Sequence, residues 1–329
     1  MKTPLLAAAL VTLSGAAWAQ TQTLTVYTYD SFVPDWGPGP LIETAFEEVC
    51  DCNLEFVAAG DGAALLARLR LEGERTEADV VLGLDTSLTA AAKATGLFAP
   101  HPGIPDNLTL PIEWNDDTFL PYDWGYFAFV YDQTKLTDAP TSFAELLESD
   151  VSIVIQDPRS STPGLGLLLW VKQVYGDDAA GAWETLAPKI VTVTKGWSEA
   201  YGMFTEGEAD MVLSYTTSPA YHIIAESDDS KVAAEFSEGH YMQIEVAAKI
   251  AGTDQGELAD QFLEFMTSEA FQSVIPTSNW MYPAALPTAD LPEGFAAPVI
   301  PSASMLINDD EVEAIRKEAL EEWLTALSQ

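Results

Sequence analysis

The residues best suited to chemistry are aromatic, and they gather where strands end. Tyr27, Tyr29, Phe32 and Trp36 bracket the C-terminal end of the strand-like run Leu24-Thr-Val-Tyr-Thr-Tyr29. Trp197 follows a second such run, Ile190 to Thr194, and Tyr215 and Tyr221 frame Thr216, Thr217 and Ser218 after a third, Asp210 to Ser214. Trp280 sits in Ser278-Asn-Trp-Met-Tyr282. A ring face attracts a desolvated cation by about 0.5 to 2 kcal/mol, so four such loops together suit a flat or positively charged ligand, while any one ring alone also fits a core position. Two helix starts add polar groups. Asp61-Gly62 precedes the apolar-periodic Ala63 to Leu71, which makes Asp61 a helix N-cap and also an acceptor for an amine. Ser160-Ser-Thr-Pro-Gly164, with Ser161 and Thr162 at its centre, opens a second helix. Hydroxyls at a helix N-terminus hold a phosphate without Lys or Arg, and capping accounts for the same residues.

Covalent and metal chemistry find little support. His101, His222 and His240 have no partners at metal-ligand spacing, and no Gly-x-Ser-x-Gly elbow or P-loop is present. Gly37-Pro-Gly-Pro40 stiffens a turn where a dinucleotide fingerprint opens a helix. Cys50 and Cys52, one residue apart at a helix end, fit either a tight disulfide or two free thiols, and neither is assigned a catalytic role. No cofactor and no metal are expected.

These side chains need a scaffold of alternating strands and helices. Strands are read at Leu24–Tyr29, Leu54–Ala58 and Ala78–Leu84, with helices at Leu41–Cys50 and Gly62–Leu71, a pattern that implies a parallel α/β sheet. The aromatic run Leu120 to Tyr131 reads as a strand crossing into a second lobe, which continues through strands at Val151–Gln156, Ile190–Thr194 and Asp210–Ser214. Tyr241 to Ala247 leads back, and helices at Glu257–Met266 and Asp309–Leu327 are expected to pack on the first lobe. The reading is a two-lobed α/β fold with a hinged cleft: residues 20–122 plus 247–329 in lobe 1 and 123–246 in lobe 2.

Composition agrees with a folded chain. The 329 residues are 48% apolar, too much core material for a disordered polymer despite a net charge of −37. Fourteen Lys and Arg cannot build a basic face for several phosphates, which excludes nucleic acid as a partner. Met1-Lys2, the apolar run Leu5–Leu13 and Ala17-Trp-Ala19 form a secretory leader, so residues 1–19 are read as a signal peptide cleaved near Ala19, and the mature chain as exported and soluble.

The longer motifs resemble a known family. Leu24-Thr-Val-Tyr-Thr-Tyr-Asp-Ser-Phe32, Asp35-Trp-Gly-Pro-Gly-Pro40, Ser161-Thr-Pro-Gly-Leu-Gly-Leu-Leu-Leu-Trp170, Thr192-Val-Thr-Lys-Gly-Trp-Ser-Glu-Ala-Tyr201, Leu213-Ser-Tyr-Thr-Thr-Ser-Pro-Ala-Tyr-His222 and Asn279-Trp-Met-Tyr-Pro283 are similar to those of the periplasmic thiamine-binding proteins of bacterial ABC importers. The resemblance runs from about Leu24 to Pro283. It implies the type II periplasmic-binding fold, a ligand set of thiamine and its mono- and diphosphate, and as partners a transmembrane permease with its ATPase subunit. It places the ligand against Tyr29, Trp36, Asp61 and Gly62 from one lobe and Ser161, Thr162, Trp197, Tyr215, Thr216, Thr217 and Ser218 from the other, with Tyr221 and Trp280 nearby. Two alternatives share this kind of fold: a thiaminase-like enzyme with a cysteine nucleophile, and a ferric-ion binder using Tyr215 and Tyr221.

The acidic excess is read as a solubility adaptation to a salty medium. The melting temperature is therefore expected to rise by several degrees between low salt and about 1 M sodium chloride, as screening relieves self-repulsion; a flat or falling melting curve in differential scanning calorimetry contradicts this reading.

Overall fold

The computed structural model describes residues 21–296 and 299–328; the leader expected over residues 1–19 lies outside them. The chain opens with a βαβαβ run of β1 (Thr23–Thr28), α1 (Gly39–Cys50), β2 (Asn53–Ala58), α2 (Gly62–Glu72) and β3 (Val80–Asp85). The short α3 (Thr89–Lys93) and β4 (Phe98–Ala99) lead to the long β5 (Leu120–Asp132). A second alternating stretch follows: α4 (Phe143–Glu148), β6 (Ile153–Gln156), α5 (Thr162–Tyr175), α6 (Ala179–Leu186), β7 (Ile190–Thr194), α7 (Trp197–Glu206), β8 (Met211–Tyr215) and α8 (Pro219–Tyr221). The chain returns through β9 (Lys231–Ala233) and β10 (His240–Ile250) to α9 (Gly256–Phe265), α10 (Glu269–Gln272), α11 (Ile275–Ser278), β11 (Tyr282–Pro283), β12 (Ser304–Met305) and α12 (Asp309–Leu327).

The principal strands lie in the order β2-β1-β3-β10-β5-β8-β6-β7. β1 runs parallel to β2 and β3, and β6 runs parallel to β7 and β8. All six residues of β3, Val-Val-Leu-Gly-Leu-Asp, are buried, as befits a central strand covered on both faces. Two antiparallel strands join the halves. β5 pairs with β10 over Leu120–Tyr126 and with β8 over Phe127–Tyr131, so one continuous strand serves both sheets.

Helices cover the sheets by apolar stripes. Phe46 of α1 meets Phe262 of α9 edge to face, with centroids 5.1 Å apart, closing a core that also holds Leu24, Val26 and Val80. The C-terminal helix departs from expectation. Val312, Ala319, Trp323 and Ala326 form its buried stripe, and it packs mainly on α5 and α6 in the second half, touching α3, rather than on the first lobe. Lys172 of α5 ties it down through Glu322, Nζ to Oε1 2.7 Å. Its apolar periodicity predicts a covered face but does not say which lobe covers it. Cys50 and Cys52 are joined in a disulfide around Asp51, whose φ of 52° ends α1 in the left-handed region. No described helix is long and apolar enough to cross a membrane.

Candidate functional site

Parallel strands deliver loops from their C-terminal ends to one side of the sheet, and the crevice there is where open α/β sheets bind ligands. The chain puts Tyr29 after β1, Asp61 after β2, Ser161 after β6, Trp197 after β7 and Ser218 after β8. The loops from both sheets face one another across a cavity of about 570 Å³, within the range of small-molecule sites, roughly 300 to 1,000 Å³. Of the residues predicted from sequence, Tyr29, Trp36, Asp61, Gly62, Thr162, Trp197, Tyr215, Ser218, Tyr221 and Trp280 line it.

Three do not. Ser161 is fully buried behind Asp61, and Thr216 and Thr217 are fully buried in the turn after β8. The Thr216 amide donates to the Tyr126 carbonyl at 2.9 Å, and the Thr217 hydroxyl points at the Met281 sulfur. In that turn Tyr215 and Ser218 reach the cavity while the two threonines between them pack inward.

Asp61 occupies the N-cap position of α2 as expected, but its side chain makes no cap hydrogen bond. Its Oδ2 instead accepts from the Ser161 hydroxyl at 2.7 Å and from the Trp197 amide at 3.1 Å, both in the other half of the molecule. Trp197 begins α7, so the carboxylate sits at the positive end of that helix. Burial pushes its pKa up to about 6, outweighing the Ser161 and Trp197 hydrogen bonds that favour the charged form. Beside it the halves come very close. A Cβ on Gly62 would lie 2.5 Å from Thr162 Oγ1, so only glycine fits this seam.

The rings are held by their neighbours. The Trp197 indole N–H donates to Ser214 Oγ at 2.8 Å, and its ring stacks on Tyr201 at 5.0 Å between centroids and 25° between planes. Tyr201 in turn meets His222 Nε2 at 2.9 Å, and His222 Nδ1 meets Glu226 at 2.7 Å. Tyr221 packs its edge against Trp280, whose φ of 59° places a bulky side chain in the left-handed region, a strain of order 1 to 3 kcal/mol that packing must offset. Tyr29 lies against Gly83, where φ is 103° and a Cβ would fall 2.2 Å from its ring. Trp36 is 57% exposed at the rim.

Sequence reasoning missed Tyr201, His222, Glu226, Glu245 and Asn279, which also line the cavity. Tyr201 is four residues after Trp197 on one helix, a spacing that stacks two rings on one face. Glu245 is an acid inside the apolar strand Tyr241–Ala247, which is the signal the sequence carries for it. His222, Glu226 and Asp228 are the described residues grouped closely enough to offer a metal three ligand atoms. Lys231 is the one Lys or Arg lining the cavity among the described residues, and it is tied to Asp132 at 3.1 Å and Asp228 at 3.3 Å. Asp61, Glu226 and Glu245 leave the walls with an acidic balance.

The seam yields a prediction. Gly62→Ala should cost about 1 to 3 kcal/mol of the form in which the halves touch, because the added methyl overlaps Thr162 Oγ1 across the seam, beyond what its 2.9 Å approach to the Gly83 carbonyl costs in either form. Solution X-ray scattering is expected to show a larger radius of gyration with an unchanged circular dichroism spectrum; identical scattering from the two proteins contradicts the seam.

Residues 14–273 match the family model described as bacterial extracellular solute-binding protein. The chain is 58% identical over 308 residues to the thiamine-binding periplasmic protein of Escherichia coli (strain K12), covering 93% of this chain and 94% of that one. It is 54% identical over 322 residues to the protein of the same name from Salmonella typhimurium, covering 97% and 98%. A solved structure titled periplasmic thiamin binding protein superposes with a TM-score of 0.92 at 57% identity, covering 94% of this chain and 97% of that one. The two-lobed architecture, the cleft at the strand ends and these identities lead to one assignment: the chain belongs to the bacterial extracellular solute-binding proteins, a family of binding proteins rather than enzymes, and within it to the group of the thiamine-binding periplasmic proteins.

Proposed function

We propose that the cleft captures thiamine in the periplasm and that the loaded protein delivers it to the permease and ATPase subunit of an ABC importer. The observation that carries this reading is the convergence of Tyr29, Trp36, Trp197, Tyr215, Tyr221 and Trp280, from both halves of the chain, on one acidic cavity. Thiamine's thiazolium is a permanent, flat cation, which ring faces hold without a full counter-charge. Its aminopyrimidine offers N–H donors, and Asp61, whose Oδ2 is taken by Ser161 and Trp197, has Oδ1 left to accept one. The names of the similar proteins from Escherichia coli and Salmonella typhimurium support the same ligand. Contacts from both halves exist together only when the cleft is shut, so a ligand that touches both shifts the population toward the shut form, which is the form presented to the permease.

The mono- and diphosphate of thiamine belong to the same proposal, with the phosphate directed to Thr162 at the start of α5. Asp61 modifies that expectation. Its carboxylate already holds the Ser161 hydroxyl, so a phosphate there meets a negative neighbour and thiamine itself is the better ligand. A cysteine nucleophile has no place in this reading, because Cys50 and Cys52 are bonded to each other and neither lines the cavity. The Tyr221 hydroxyl, one of the two phenols of the ferric-ion alternative, donates to Glu226 at 2.9 Å.

Calorimetry of the mature chain should give micromolar or tighter binding of thiamine, and its absence overturns the proposal. Trp197→Ala should cost about 1 to 3 kcal/mol of that binding through lost stacking, with the fold retained. Asp61→Asn separates the two kinds of ligand. Thiamine should lose about tenfold in affinity with its charged acceptor, while the monophosphate, relieved of repulsion, should lose less; an unchanged ratio of the two affinities removes Asp61 from ligand discrimination.

A further inference from the structure

Three neighbouring strands carry one carboxylate each in a single row. Glu245 of β10 stands directly opposite Asp85 of β3 on one side and Asp123 of β5 on the other. Residues directly opposite in antiparallel strands point to the same face, so the three acids line up across the middle of the sheet. Asp85 and Asp123 are fully buried and Glu245 nearly so, and no Lys or Arg pairs with any of them among the described residues. Of the row, only Glu245 reaches the cavity.

The hydrogen bonds around the row leave one oxygen of the Glu245–Asp123 pair without a donor. Glu245 Oε2 accepts from the Tyr122 hydroxyl at 2.5 Å and lies 3.0 Å from the Tyr29 hydroxyl. Asp123 Oδ2 accepts from the Asn279 amide at 2.6 Å, while its Oδ1 is buried with no donor. Asp123 and Glu245 stand directly opposite each other in the β5–β10 register, both buried, so the two carboxyls are neighbours on one face with no cation between them. Two buried acids side by side without a counter-ion do not both ionise, and Asp123 Oδ1, buried without a donor, is the oxygen of the pair free to carry the proton. Burial raises both groups, and mutual repulsion raises Asp123 further. The other groups facing the pair are Tyr29, Tyr122 and Tyr215, whose hydroxyls burial keeps neutral, Asp61, and Asp85, which burial pushes up to about 7. Arg316 of α12 weakly favours the charged form of Asp85.

We infer that Glu245, backed by Asp123, is the residue that selects positive charge in the ligand, and that a cation entering the cleft displaces the proton the two carboxyls share. The Asp123 O–H ionises, its proton passes to solvent, and the positive ring takes over as counter-charge to the pair. An uncharged ligand of the same shape leaves the proton in place and gains nothing from the row. The inference rests on the proposed thiamine reading and sharpens it: the rings provide shape and stacking, and the acid pair provides discrimination by charge. The sign follows from linkage. The proton leaves on binding, so affinity for the cation rises with pH, by up to about tenfold per unit, until the free pair itself ionises.

Titration calorimetry of the unmodified mature protein with thiamine near pH 7, in buffers of different ionisation enthalpy, tests this directly. The expected result is net release of up to one proton per ligand bound. A neutral isostere, with an uncharged five-membered ring in place of the thiazolium, should release none and bind at least about tenfold more weakly. Glu245→Gln should weaken thiamine by a similar factor, keep the affinity of the isostere and abolish the release. Thiamine binding without proton release, an isostere that binds as well as thiamine, or release that persists in Glu245→Gln and so belongs to Asp61 or Asp85, overturns the inference while leaving thiamine capture standing. Failure of both thiamine and the isostere to bind the unmodified protein overturns the functional reading instead, and the inference with it.

Discussion

The antiparallel pairing of β5 with β10 is the constraint from which the rest of the molecule follows. The parallel units on either side, β1–β3 and β6–β8, are each built from local βαβ connections, and each has its own loops at its strand ends. What sets those loops face to face is that β5 leaves one sheet and enters the other without a break, with β10 alongside it on the way back. Because both strands are shared, the register of β5 against β10 fixes which loops of the two sheets confront each other. The same bridge carries Asp123 and Glu245 opposite each other, so the element that joins the halves also holds the cleft's deepest charge.

Charge acts differently at the two scales of this protein. Over the whole chain 51 acidic residues against 14 basic ones produce a field that solvent ions screen within about 8 to 10 Å. Inside the cleft a few carboxylates matter more, because burial removes the screening. Asp61 is partly protonated near neutral pH, yet it spans the seam by accepting hydrogen bonds from the opposite half. Lys231 does not offset the acids across the cavity, since Asp132 and Asp228 hold it. Rings and buried acids are thus two separate sources of negative potential in the cleft, one from the ring faces and the other from carboxyl groups.

Much of the fold is legible along the chain. The period-two run at Leu24–Tyr29 and the helical spacing of Leu41 to Cys50 became β1 and α1 within a residue or two, and Asp309 to Leu327 became α12. The loops after β1, β2, β7 and β8 are legible as the site, because ligand crevices in α/β sheets form at those ends and the rings are concentrated there. Side-chain orientation within the loops is not legible. Thr216 and Thr217 turn inward while Tyr215 and Ser218 turn out, a choice made by the local turn and by Met281 and Tyr126 packing against it. Asp61 has the sequence of a cap and the geometry of a bridge, because its preferred donors belong to residues a hundred or more positions away.

The sequence by itself determined the α/β class, the family and the strand-end position of the aromatic cleft, since each is written in local periodicity or in contiguous motifs. Only the tertiary structure decided that Cys50 bonds Cys52, that α12 covers the second half rather than the first, that Gly62 meets Thr162, and that Asp85, Glu245 and Asp123 form one row. The disulfide is settled locally, by the left-handed turn at Asp51 between its two cysteines, and the other three share one physical reason. Periodicity states that a face will be covered or a group satisfied, but the partner is chosen by strand register and helix packing between segments far apart in the chain. A charge row across three strands has no signature in any one of them.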